Sequence, residues 1–81
     1  KKVNAVAIDC PSIDTAADSR FTAHHILLSN NILVVENLCN LDRITSRNRR
    51  SSNSSVTFTL IISPLKLGGA TGSPARVLAL L

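Results

Sequence analysis

Phe21-Thr-Ala-His-His-Ile-Leu-Leu-Ser-Asn-Asn-Ile-Leu-Val-Val-Glu-Asn-Leu38 reads as a helix followed by a strand, and that pairing decides the fold. Phe21, His24, Leu27 and Leu28 fall at i, i+3, i+6 and i+7, one face of an amphipathic helix. The spacing predicts a helix from about Arg20 to Ser29, capped by Asp18 or Ser19 and ended by Asn30-Asn31. His24 then faces inward, and His25, about 100° further round, is exposed or supports from behind. Ile32-Leu-Val-Val35 is short and wholly apolar, the pattern of a buried strand, and it delivers Glu36 at its C-terminal end. In open α/β sheets that end is where ligands gather.

Upstream, Val3-Asn-Ala-Val-Ala-Ile8 is β-branched and apolar on both faces, which predicts another strand covered by layers on each side. Asp9-Cys-Pro-Ser-Ile-Asp14 breaks it, because Pro11 lacks a backbone donor while Ser12 and Asp14 favour local turns. Downstream, residues 37–44 predict a short helical turn, and residues 45–55 a polar, low-complexity and mobile loop. Val56–Ile62 returns to strand pattern, interrupted at Ser63-Pro64. Gly68-Gly69 and Gly72-Ser73-Pro74 turn the chain into a last strand over Ala75–Leu81. No internal repeat is visible. The order predicts an α/β fold, a mixed sheet with one main helix on one side.

The chain's 81 residues leave room for one small domain, 44% apolar and almost without aromatics, so any core is aliphatic. No apolar run approaches the roughly 18 residues of a membrane span, and Lys1-Lys2 leads into a strand pattern rather than a signal sequence. The expected compartment is the cytoplasm, with no membrane partner. Cys10 and Cys39 lack C-x-x-C spacing, which predicts two buried free thiols and no zinc ribbon or redox motif. Of the net charge of +4, much comes from Arg43, Arg47, Arg49 and Arg50 in one Ser/Asn-rich stretch. It holds no stacking aromatics, so it reads as a solvated loop and no nucleic acid is expected. An RNA or phosphate contact switched by serine phosphorylation is its other reading.

Imidazole and carboxylate are the donors from which zinc and manganese sites are built, which singles out His24 and Glu36. Taken alone, a histidine on an apolar helix face is a satisfied core residue. Glu36 either binds a metal, pairs with an arginine or caps the turn at Asn37, since a buried carboxylate needs a partner. Ser12 and Asp14 resemble a nucleophile with its orienter, but no base is near them in sequence and turn formation is the better reading. Gly68-Gly-Ala-Thr-Gly72 lacks the Lys-Ser/Thr ending of a phosphate loop and reads as a hairpin turn. Arg76 either anchors a carboxylate or is structural.

Several segments in fixed order resemble the metal-dependent cyclase-like hydrolases, which include bacterial-type kynurenine formamidases and isatin hydrolases. They are Val6–Asp14, Phe21-Thr-Ala-His24, Leu27-Leu28, Glu36-Asn-Leu38, Asn40-Leu-Asp42, Pro64-Leu-Lys-Leu67 and Gly72-Ser-Pro-Ala-Arg76. The resemblance covers nearly all of residues 1–81, the Arg/Ser stretch apart, and corresponds to the C-terminal part of that family's single domain. It implies part of a swivelling β/β/α fold, and a divalent metal, zinc or alternatively manganese, that activates water against an amide, formamide or lactam carbonyl. It also implies that His24 and Glu36 are metal ligands, twelve positions apart as in the family. The implied substrate is an aryl formamide such as N-formyl-L-kynurenine, hydrolysed in tryptophan breakdown.

The family's H-x-G-T-H-x-D-x-P-x-H signature has no counterpart here, His24 and His25 being the only histidines. The chain alone is therefore expected to bind metal only weakly. A second expectation is a truncated, catalytically inactive product acting as a binding module. Its unpaired sheet edges would favour a homo-oligomer.

Overall fold

A computed structural model describes residues 2–48 and 57–81. Among the described residues six elements follow one another: β1 (Ala5–Ala7), α1 (Thr22–Ser29), β2 (Leu33–Val35), α2 (Leu41–Asn48), β3 (Thr59–Pro64) and β4 (Ala75–Leu80). This is an α/β chain, with one parallel and one antiparallel strand pairing in separate two-stranded sheets. It divides into two compact units, residues 1–41 and 42–81.

In the first unit β1 and β2 run parallel, with Ala5 opposite Leu33, Val6 opposite Val34 and Ala7 opposite Val35. Pairing extends past the strands: the Leu33 amide donates to Asn4 O at 3.0 Å, that of Leu38 to Ile8 O at 3.0 Å and that of Asn37 to Cys10 O at 3.0 Å. Parallel neighbours require a crossover, and residues 8–32 supply it through α1, which packs on β2. The topology therefore brings the segment leaving β1 and the residue leaving β2 to one end of the pair.

Helix α1 starts two residues later than its apolar pattern predicts. The Asp18 carboxylate accepts from the Arg20 amide at 2.9 Å and the Thr22 amide at 3.2 Å, closing a tight turn ahead of the helix. Phe21 takes a left-handed conformation at φ 52° and offers no side-chain cap. Lying outside the helical phase, Phe21 is exposed, as is Leu28, while His24 and Leu27 are half-buried. At the other end the Asn31 amide donates to Leu28 O and that of Ile32 to Leu27 O, a Schellman closure with Asn31 at φ 57° in the position usually given to glycine.

The helical turn expected over residues 37–44 is displaced to α2. Asn37 and Asn40 are left-handed, at φ 58° and 62°, so the helix begins only after them. It then runs into the stretch expected to be a loop. The Thr45 hydroxyl donates to Asp42 O at 3.1 Å and that of Ser46 to Arg43 O at 3.3 Å, local bonds compatible with helix. Residues 45–48 are therefore helical, and Arg43 and Arg47 stand on a helix. The remainder of the expected loop, residues 49–55, with Arg49 and Arg50, lies outside the described residues.

In the second unit β3 and β4 pair antiparallel from Thr59 opposite Leu80 to Pro64 opposite Ala75. Pro64 closes β3 as its last residue, where a missing donor is tolerated, so the strand is not interrupted before it. The connection turns at Gly68-Gly69, with Gly69 at φ 68°, and is tied by the Leu65 amide, which donates to the Ser73 hydroxyl at 2.8 Å. This is the hairpin turn read from the glycines.

Strands expected to be covered on both faces are not. Among the described residues no apolar side chain is buried. Leu60, Ile62, Val77 and Ala79 share one half-buried face of the hairpin, while Ile61, Leu78 and Leu80 stand exposed on the other. A two-stranded sheet with one two-turn helix cannot cover both of its faces. Cys10 and Cys39 are free but exposed, contrary to the expectation of burial, because both lie in connecting segments outside any layer. No helix among the described residues is long and apolar enough to cross a membrane.

Candidate metal-donor site

Three acidic and imidazole side chains meet at the C-terminal end of the parallel pair. His24, on the first turn of α1, has Nδ1 2.6 Å from Asp14 Oδ2 and Nε2 3.1 Å from Glu36 Oε1. The imidazole is thus held at both nitrogens between two carboxylates. The site joins the loop after β1, the helix and the residue after β2, which is why only a parallel crossover assembles it.

Asp14 is the one buried polar residue among those described, 9% exposed. Besides Nδ1 its carboxylate accepts from the Ala23 amide at 2.6 Å and the His24 amide at 3.0 Å, two of the amides that a helix N-terminus leaves without an internal partner. Burial pushes the Asp14 carboxyl up, but the bonds from the His24 ring and the two amides outweigh it and hold its pKa below the ordinary value. The hydrogen bond to Asp14 raises the His24 pKa most; burial opposes this, and the Glu36 charge adds to it. These shifts favour the charged forms of His24 and Asp14 over their neutral ones. Glu36 is fixed in turn by the Ile13 amide, which donates to Oε1 at 2.8 Å.

The sequence singled out His24 and Glu36, and the structure brings them together. Asp14, read mainly as a turn former, does make that turn, its amide donating to the Ser12 hydroxyl at 3.2 Å. Its carboxylate, however, serves the helix and the imidazole. The base absent near Asp14 in sequence arrives from α1, ten residues on, while Ser12 Oγ is occupied as an acceptor inside the turn. The signal that marks Asp14 is an acidic residue upstream of a helix whose own start offers no side-chain cap. His25 is exposed, and its amide simply continues the helix to Phe21 O. The Phe21 ring meets the His24 ring edge-on, with centroids 6.1 Å apart.

Among the described residues no group of three or more His, Cys, Asp or Glu side chains is arranged to hold a metal ion. The His24–Glu36 pair nevertheless fits two corners of one. Donors about 2.05 Å from a tetrahedral zinc stand about 3.3 Å apart, and Nε2 and Oε1 stand 3.1 Å apart. The carboxylate on the opposite ring nitrogen is the arrangement that orients ligating histidines.

These features define a class, an α/β protein whose imidazole is held between two carboxylates at the end of a parallel strand pair. The particular likeness is to kynurenine formamidases. The chain is 33% identical to the Kynurenine formamidase of Bacillus anthracis over 76 residues, 94% of this chain and 32% of that protein. To that of Bacillus cytotoxicus it is 33% identical over 78 residues, 96% of this chain and 32% of the relative. It therefore spans about a third of the length of the curated relatives it matches, and the resemblance read from the ordered segments holds across nearly the whole chain. No family model matches the chain. No solved structure matches it either.

Proposed function

We propose that this chain contributes two donors, His24 Nε2 and Glu36, to a divalent metal site that hydrolyses an aryl formamide, with N-formyl-L-kynurenine the substrate of choice. The observation that carries the reading is the 3.1 Å approach of Nε2 to Oε1, with the imidazole fixed from behind by Asp14. Similarity to the Bacillus kynurenine formamidases supports the choice of reaction. A bound zinc or manganese supplies Lewis acidity, polarising the formyl carbonyl and acidifying water. The chain's own part is to hold Nε2 and the Glu36 carboxylate at fixed separation, where a metal would take the place of the Nε2 proton. Catalytic zinc sites take about three protein ligands, so further donors must join these two.

Metal content and formamidase rate, measured with zinc and with manganese on a complete protein containing this segment, test the reading. His24→Ala is expected to lose both together. Retention of full metal content and full rate would refute it.

A second reading is favoured by the lack of any buried apolar side chain among the described residues. On that reading the chain is an inactive binding module whose exposed strands associate with a second copy. A monodisperse monomer in sedimentation would dismiss it.

A further inference from the structure

Residues 12–14 touch both candidate donors. Asp14 holds His24 at Nδ1, and the neighbouring amide of Ile13 holds Glu36 at Oε1. Adjacent positions of one short turn therefore address an imidazole on a helix and a carboxylate beyond a strand. The turn is closed on itself by the Asp14 amide and the Ser12 hydroxyl, and its carboxylate is tied to α1 through the Ala23 and His24 amides. Neither donor is fixed by its own element alone. His24 sits in the first turn of an eight-residue helix, and Glu36 follows a three-residue strand.

We propose that the Ser12–Asp14 turn is the positioning element of the donor pair, with Asp14 the residue that fixes the His24 tautomer and ring plane. This rests on the metal reading above and extends it to a residue to which the metal reading gives no ligand role. Asp14 does not bind the metal. It accepts the hydrogen bond from Nδ1–H, so that Nε2, which faces Glu36, is the nitrogen left to exchange its own proton for a metal. The same carboxylate binds the first turn of α1, which couples the direction of the imidazole to the placement of the helix. A carboxylate is required because three donors converge on it, and an amide oxygen in its place offers one acceptor atom instead of two.

The test uses Asp14→Asn, which keeps the shape and one acceptor for the helix amides but removes the charged acceptor for Nδ1. Two readouts are taken by NMR on the 81-residue chain. The first, without metal, is the exchange-protected Nδ1 proton of His24. The second is the displacement of the His24 Nε2 resonance on titration with zinc chloride. Wild type is expected to show the protected proton and a zinc-dependent Nε2. Asp14→Asn, with its α1 amide resonances in place, is expected to lose the proton and to bind zinc about 10- to 100-fold more weakly. Zinc affinity within threefold of wild type, with the Nδ1 proton still protected, overturns the proposal. So does the absence of a protected Nδ1 proton in wild type, a result that needs no variant to fold. If zinc leaves Nε2 of wild type undisturbed while the Nδ1 proton is present and is lost in Asp14→Asn, the metal reading fails and the positioning role of Asp14 stands.

Discussion

Replacing Glu36 separates its two jobs. Its Oε1 accepts the Ile13 amide at 2.8 Å and faces His24 Nε2 at 3.1 Å. Glu36→Ala leaves the partly buried Ile13 N–H without an acceptor, a loss of about 2 kcal/mol. Glu36→Gln retains an oxygen at Oε1 and keeps that bond at neutral strength, removing only the charge opposite His24. Because each 1.4 kcal/mol is about tenfold, Glu36→Ala should speed opening of the first unit about 30-fold while Glu36→Gln changes it by less than about fivefold. The assay is native-state amide exchange at Leu33, Asn37 and Leu38, whose N–H groups bond Asn4, Cys10 and Ile8 across the parallel pair. Equal exchange in the two variants, or a Glu36→Ala rate within threefold of wild type, would show that the Ile13 bond does not secure the site.

Stability of the metal-free chain should fall at both ends of the pH scale. Asp14 and Asp18 have pKa values held below the ordinary 3.8, so their contribution is complete above that value and lost as pH drops through the lowered ones; thermal melts in acid should show this, and Asp18→Asn should lessen it. His24 has the opposite sign: its pKa is raised above 6.5, so its contribution is complete below 6.5 and lost as pH rises through the raised value, an alkaline decline that His24→Gln should abolish. At the helix end, Asn31→Gly should be neutral or slightly stabilising by thermal melt, whereas Asn31→Ala should cost about 1 kcal/mol, because its left-handed φ of 57° penalises a Cβ without a local polar partner. Equal melting of those two variants would refute the Schellman assignment.

What the sequence carried was local. The apolar spacing of α1, the compact run before Glu36 and the glycines between β3 and β4 each reflect short-range geometry, and each element is found there, α1 with its start displaced by two residues. The left-handed asparagines were less legible. Asn37 and Asn40 fall within residues 37–44, where a helical turn was expected, yet their positive φ values set where α2 begins. Burial was misjudged because an apolar strand shows only that it can be covered; a two-stranded sheet has too little beside it to do so. His24 and Glu36 stood out as donor types in order. The place of Asp14 depends on a crossover that folds the β1 exit back onto the α1 start, a long-range fact absent from its neighbours Ile13 and Thr15.

Strand register also sets an order of folding. The β3–β4 hairpin closes from Pro64 opposite Ala75, eleven positions apart, whereas β1 and β2 meet only when Ala5 finds Leu33, twenty-eight positions away. Loop closure grows costlier with length, and hairpins form within about 1–10 μs. In pulse-labelled refolding the amides of residues 60–63 should therefore gain protection before those of residues 33–38, and the reverse order would refute this. The carboxylate–imidazole chain would then be the late product of refolding, so a partly refolded chain presents a formed hairpin and no assembled donor pair.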